Sequence, residues 1–321
     1  MTTEIKLPEG APEEVVTNAL VRDVDLTPFG FAGSLALITL DNGLDHTRPN
    51  TFGPQSLKAL DSAITDAIGR SPAAIAITGK PFIFAAGADL SALSFLSERS
   101  QSLAIGKLGH DVFRRLDECG IPTFAFINGL ALGGGLEVGL HCNYRTLAST
   151  AFTGLPEVFL GLVPGWGGAT ILPKLIGPER AVQVIMLNAL NNNTMMKAKD
   201  ALSLGVVDAV YEPADFLERS VSFAAKVLSG ATKVERKDYS ADPAWESALA
   251  TGKAVALLAA RNGVYGLAMS RRLRGSLVTR MVAAQLVIDE STAMAAAQVA
   301  PRATSGRPVT GSFHIGRVAN Q

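Results

Sequence analysis

Three consecutive glycines, Gly133, Gly134 and Gly135, stand between a short apolar run and a helical pattern, in Asn128-Gly-Leu-Ala-Leu-Gly133-Gly134-Gly135-Leu-Glu137. No other feature constrains the fold as tightly. Glycine reaches backbone conformations that a Cβ forbids, so the triplet predicts a tight strand-to-helix turn. Such a turn leaves backbone N–H groups free to meet a ligand, with the positive end of a helix dipole behind them. Glu137 falls just inside that helix. A second glutamate follows in Leu155-Pro156-Glu157. An oxyanion-binding turn beside two carboxylates suits the movement of a proton next to a carbonyl group.

The flanking pattern predicts the layers around this turn. Ser34 to Leu40 reads as a strand. Pro54 to Ile68 carries Leu57, Leu60, Ile64 and Ile68 at helical spacing. Ala73 to Thr78 and Pro122 to Ile127 are short apolar runs, the signature of strands buried on both faces. Leu103 to Leu116 reads as a helix ending near Gly120, Leu136 to Cys142 as a helix, and Tyr144 to Ala148 as a strand. This alternation predicts an α/β fold of parallel strands with crossover helices. Pro164-Gly165-Trp166-Gly167-Gly168 is a second glycine turn before a helical run to Leu175. Thr194 is the expected N-cap of a helix closed by Gly205, and Val206 to Val210 reads as a short strand.

Residues 1–24 read as a loosely held N-terminal extension, 25–212 as the core, and 213–321 as an alanine-rich helical region. From Pro301 on, the chain is rich in Ser, Thr, Gly and Pro and reads as irregular. No period of about 20 to 50 residues recurs, so a repeat array is not expected.

Composition narrows the function classes. The 321 residues are 48% hydrophobic and 18% charged, enough for a large core. Lys+Arg and Asp+Glu number 29 each, so nothing suggests the basic stripe of a nucleic-acid binder. No apolar run reaches the roughly 18 residues of a membrane helix. The polar start, Met1-Thr-Thr-Glu-Ile-Lys, lacks the apolar segment of a secretory signal, and a cytoplasmic setting is expected. Cys119 and Cys142 read as small core thiols instead of a disulfide framework. His46, His110, His141 and His314 show no metal-ligand spacing, and no metal is expected.

Three segments carry the chemistry. In Phe84-Ala85-Ala86-Gly87-Ala88-Asp89-Leu90, small residues allow the backbone close to a ligand. The glycine triplet is neither a dinucleotide fingerprint, since the next glycine falls at 139, nor a phosphate-binding loop, since no Gly-Lys-Ser/Thr follows. Glu137 stands among Leu136, Val138 and Leu140, and Glu157 among Leu155, Val158 and Phe159. Carboxylates in apolar surroundings have their charged forms disfavoured, more so when close together. A pair tuned in that way suits acid and base work, whereas two unrelated ion-paired glutamates are the plainer alternative for each residue alone.

Taken together, in order and content, these segments resemble the crotonase (enoyl-CoA hydratase/isomerase) family. Its signatures are an aromatic-small-Ala-Gly-Ala-Asp loop, Asn-Gly-x-Ala-x-Gly-Gly-Gly-x-Glu, and Pro-Glu followed by Pro-Gly-x-Gly-Gly. Ala198-Lys-Asp-Ala-Leu-Ser-Leu-Gly-Val-Val-Asp208 is similar too, and the likeness covers roughly residues 30 to 230. It implies a crotonase-like spiral of ββα units with a helical C-terminal region that builds an acyl tunnel. It implies an acyl-CoA thioester as substrate, coenzyme A entering only as part of that substrate, no separate cofactor, and a homotrimer or homohexamer. The backbone N–H groups of Ala88 and Gly134 match the family's oxyanion hole. Glu137 and Glu157 match its two catalytic glutamates. Ala86, Gly87, Asp89 and Leu90, with Gly133, Pro156, Gly165 and Trp166, match positions bordering the CoA and acyl groups.

The implied activity is enoyl-CoA hydration, reversible addition of water to a trans-2-enoyl-CoA, of the type found in fatty-acid oxidation. A Δ3-Δ2-enoyl-CoA isomerase using Glu157 as proton shuttle, or another crotonase-type acyl-CoA reaction, is the alternative, and Glu137 discriminates the isomerase, because isomerisation can spare it. A non-catalytic acyl-CoA-binding protein is the second alternative. Two regions depart from the family pattern. Asp41 to Phe52 is longer and more polar than usual, and the tail from Asp289 to Pro308 lacks the usual acidic helix and basic end. Arg271, Arg272 and Arg274 read as a solvated helix face, with a contact to CoA phosphates as the alternative. No dehydrogenase segment is expected after the core.

Overall fold

The computed structural model describes residues 10–91, 99–160, 162, 164–237, 239, 243–244, 246–247 and 250. Along the chain run β1 (Asn18–Asp25), β2 (Ser34–Asp41), α1 (Pro54–Gly69), β3 (Ala74–Gly79), β4 (Ile83–Ala85) and α2 (Arg99–Glu118). Then come β5 (Thr123–Ile127), β6 (Leu130–Leu132), α3 (Gly134–Leu140), β7 (Tyr144–Ala148), β8 (Phe152–Gly154), α4 (Gly168–Ile176) and α5 (Pro178–Val182). After α6 (Asn188–Leu190) follow β9 (Met196–Lys197), α7 (Ala198–Leu204), β10 (Ala209–Tyr211) and α8 (Phe216–Leu228).

The strands sort into two sheets. A six-stranded sheet has the order β1-β2-β3-β5-β7-β10, and a four-stranded sheet the order β4-β6-β8-β9. Each turn of the chain therefore places one strand in the large sheet and the next in the small one before a helix returns it: β3-β4-α2, then β5-β6-α3. That repetition is the expected spiral of ββα units. From β2 through β10 the large sheet is parallel. Every residue of β3 and β5 is buried, as crossover helices on one face and the second sheet nearby require.

The N-terminal segment departs from expectation. Residues 18–25 form the edge strand β1, antiparallel to β2 over its whole length, instead of part of a loosely held extension. Ala19, Val21 and Val24 pack on the core, while Arg22, Asp23 and Asp25 guard the edge with charge. Upstream, buried Glu14 accepts the N–H groups of Gln55 and Ser56 and the Ser56 hydroxyl, capping α1 from a distance in sequence. A Cβ on Gly53 would collide with that carboxylate.

Two further details differ. Thr194 does not cap α7; its hydroxyl donates to the Asn191 carbonyl, and Met196–Lys197 instead pairs with β8 as β9. Gly205 does close α7, in the left-handed conformation. The last strand of the large sheet begins at Ala209 and not at Val206, because the N–H groups of Val206 and Val207 turn back to the Ala201 carbonyl and finish the helix. Beyond α8, most of the expected C-terminal helical region lies outside the described residues, including Arg271, Arg272, Arg274 and the segment from Pro301 on.

Candidate active site

The site begins where β5 ends. The Asn128 side chain accepts from Gly79 N–H and donates to the Gly79 and Lys80 carbonyls, tying the ends of β3 and β5 together. After β6, Gly133 has φ +52° and donates its N–H to the Gly154 carbonyl. Glu137 then closes the first turn of α3 on the Gly133 carbonyl, 2.9 Å away.

Glu137 is buried, 2% exposed, and its Oε1 accepts two backbone donors, Trp166 N–H at 2.8 Å and Gly168 N–H at 2.9 Å. Glu157 opens the 3-10 turn Glu157–Leu160 after β8, 9% exposed. Its Oε1 lies 2.6 Å from the position a Cβ on Gly133 would take. Its Oε2 finds no hydrogen-bond partner among the described residues. The Glu157 carboxyl thus stands against the triplet turn and the Glu137 carboxyl against the 165–168 turn, near enough for the charge of Glu137 to act on Glu157.

Burial raises the Glu137 carboxyl to about 7, against the pull of its two backbone donors and of His110. Burial, reinforced by the neighbouring Glu137, raises Glu157 well above the usual carboxylate range. The two titrate as a coupled pair. The member of such a pair whose charge is better stabilised by hydrogen-bond donors ionises first, and here that is Glu137, which has two backbone N–H groups to receive its charge.

The facing wall is the 86–90 loop. Phe52 N–H donates to the Gly87 carbonyl at 2.8 Å, and Asp89 N–H to the Phe52 carbonyl at 3.0 Å. This parallel bridge turns the intervening Ala88 N–H away from Phe52. Gly87 (φ +93°) stands against the triplet: a Cβ there would be 3.2 Å from the Gly134 nitrogen. The N–H groups of Ala88 and Gly134 have no backbone acceptor in the turns and loops among the described residues.

Trp166 packs between these walls. Its indole lies edge-on to Phe52 and Phe113, and side chains on Gly109 of α2 or Gly134 of α3 would collide with it. Gly165, next to it in the chain, is half-buried, as is Pro156, whose ring lies against Gly133. Asp89 and Leu90 fall at the rim. The Asp89 carboxylate accepts the Ser91 N–H in a local turn, and Leu90 is 39% exposed.

The sequence matches the Enoyl-CoA hydratase/isomerase family over residues 30–253. The chain belongs to that family. A short-chain-enoyl-CoA hydratase of Clostridium acetobutylicum is 36% identical over 206 residues, 62% of this chain and 74% of that protein. The fatty acid oxidation complex subunit alpha of Shewanella loihica is 34% identical over 220 residues, 64% of this chain but 30% of that protein's length. Among solved structures, the enoyl-CoA hydratase from Bacillus anthracis superposes with a TM-score of 0.56 at 27% identity, covering 66% of this chain and 76% of that one. The two-sheet spiral is therefore the crotonase fold of this enoyl-CoA hydratase/isomerase family member.

Of the residues expected at the site, Glu137, Glu157, Gly133, Gly134, Gly87, Ala88, Pro156 and Trp166 come together, whereas Asp89 and Leu90 stay at the edge. Sequence reasoning missed Asn50, Phe52, His110 and His141. Asn50 accepts the Ala86 N–H on its carbonyl and anchors its side chain on Leu40 and Phe84. The atypical Asp41–Phe52 segment is itself held by buried Lys80, whose ammonium donates to the Asn42 side chain and the carbonyls of Leu44, Asp45 and Arg48. Glu137 and His141 share one face of α3 at i, i+4 spacing, a signal that the sequence did contain.

Proposed function

We propose that this protein is an enoyl-CoA hydratase, adding water reversibly and syn across the double bond of a trans-2-enoyl-CoA to give a 3-hydroxyacyl-CoA. The observation that carries this reading is the asymmetric pair: two buried, electrostatically interacting carboxyl groups, one held by two N–H donors and the other with an unpartnered oxygen. Water addition needs one base and one acid at once, and that asymmetry supplies both from a single pair.

Glu137, ionising first, takes a proton from water as its oxygen attacks the β-carbon. Negative charge passes through the α-carbon to the thioester oxygen. The N–H groups of Ala88 and Gly134 receive that charge; a donor of this kind is worth about 3–4 kcal/mol of barrier. Glu157, still protonated, delivers its proton to the α-carbon. Run backward, the same groups exchange roles and expel water. Coenzyme A enters as part of the substrate, and the chemistry asks for no separate cofactor. A homotrimeric or homohexameric assembly belongs to this reading as an expectation from the family.

An isomerase would need only one shuttling carboxyl, leaving Glu137 no proton to move. Incubation with crotonyl-CoA in oxygen-18 water distinguishes the two. The hydratase reading expects label in a 3-hydroxybutyryl-CoA product. Crotonyl-CoA left unlabelled, while a 3-enoyl-CoA supplied in a parallel incubation is converted to its 2-enoyl isomer, contradicts it.

A further inference from the structure

His141 sits at the C-terminal end of α3, one turn beyond Glu137, and is 3% exposed. Its Nε2 lies 2.8 Å from the Trp166 carbonyl oxygen. A carbonyl only accepts, so Nε2 carries the proton and donates it. The N–H of the same residue, Trp166, donates to Glu137 Oε1 at 2.8 Å. Two side chains from successive turns of one helix therefore hold both backbone polar groups of one residue. The next residue in the turn, Gly167, has φ +116°, and a Cβ there would strike the His141 ring. Gly168 follows with the second donor to Glu137.

The imidazole is not an isolated core residue. His110 of α2 stands edge-on to it, with ring centroids 5.8 Å apart, and Phe113 of the same helix lies 6.2 Å away. The titratable groups gathered around Glu137 are thus His141 from its own helix, His110 from α2, and Glu157 from the turn after β8.

We propose that His141 is a positioning residue for the reaction: by donating to the Trp166 carbonyl it fixes the 165–168 turn so that its two N–H groups converge on Glu137. The inference rests on the reading of Glu137 as the base. A turn released from His141 loses its aim at the carboxylate. A misplacement of about 1 Å at such a group can lower a rate on the order of a hundredfold. Weaker donation also stabilises the carboxylate less, so Glu137 ionises at higher pH.

The test uses His141→Leu, which removes the donor, and His141→Gln, whose amide nitrogen reaches the position of Nε2. The Glu137 carboxyl is titrated by infrared difference spectroscopy, assigned with Glu137→Gln, and hydration of crotonyl-CoA is followed alongside. In the Leu variant the Glu137 midpoint should rise by about half to one pH unit. Its kcat should fall roughly ten- to a hundredfold with KM within about twofold. The Gln variant should stay close to wild type on both readouts. An unmoved midpoint in the Leu variant overturns the proposal, as does equal damage in both variants, which would make the ring mere filling. Should the Leu variant fail to fold, His141→Asn, whose shorter amide cannot reach the carbonyl, takes its place. If wild type hydrates no enoyl-CoA, the functional reading fails, while the infrared titration still decides whether His141 aims the turn.

Discussion

The carboxyl of Glu157 fills the space that a side chain on Gly133 would take, its Oε1 2.6 Å from the missing Cβ. The glycine turn before α3 and the first residue of a 3-10 turn are thereby locked to one another. Gly133 also has φ +52°, where a side chain is strained.

Gly133→Ala is expected to damage activity well beyond its effect on stability. The methyl group must displace Glu157 from the glycine turn, so kcat should fall at least tenfold, on the scale of a mispositioned catalytic group. Thermal melting beside steady-state kinetics checks this. A variant with wild-type kcat would show that the contact between the two residues is not needed.

The rate should follow a bell in pH set by the coupled carboxyl pair. In the proposed reaction Glu137 works ionised and Glu157 protonated; Glu137 is held at about 7, so kcat/KM should rise through neutral pH. Burial and the charge of Glu137 raise Glu157 well above the usual carboxylate range, so the rate should fall again only once that acid ionises. A profile flat from pH 5 to 9 would contradict these roles.

The same shift makes Glu137 a liability for the fold. Its carboxyl rises from 4.5 to about 7 on folding. Between those values the folded chain holds a proton that the unfolded chain releases, so stability falls as pH rises through this window and stays reduced above it. At about 1.36 kcal/mol per unit, the penalty above the window is of order 3 kcal/mol. Glu137→Gln keeps an oxygen for both backbone donors and carries no charge. It should match wild type near pH 4.5 and be more stable at pH 8. Urea unfolding at both values measures the difference, and an equal gap at the two pH values would refute the linkage.

Far from the chemistry, Glu14→Ala should destabilise the protein without altering kcat. The substitution leaves the buried Ser56 N–H and the part-buried Gln55 N–H at the start of α1 without their acceptor, a loss of about 1–3 kcal/mol. Denaturant unfolding would register it. No change in stability would mean that the N-terminal segment is not part of the folded unit.

The sequence made the chemistry legible because glycine turns and carboxylates in apolar runs are local features. Gly133 to Glu137 and Pro156-Glu157 could be read in place, and β3 and β5 stood out as wholly apolar runs. The second sheet was not legible residue by residue: β4, β6 and β8 are three residues long and β9 two, too short for any period to register. Only the family resemblance anticipated a spiral. β1 was missed because Arg22, Asp23 and Asp25 interrupt the alternation of Ala19, Val21 and Val24. The Phe52–Ala88 bridge and the contact from His141 to Trp166 join residues distant in sequence, and their partners can be known only once the chain is folded.

The central claim is that Glu137 and Glu157 act together as base and acid in hydration. Loss of the enoyl-thioester absorbance with crotonyl-CoA, then with a longer enoyl-CoA, measures it directly when wild type is compared with Glu137→Gln and Glu157→Gln. The account predicts rapid loss in wild type and a fall of about 10²–10⁴-fold in each variant, with acyl-CoA binding retained. Undiminished turnover in either variant, or none in wild type, would contradict it.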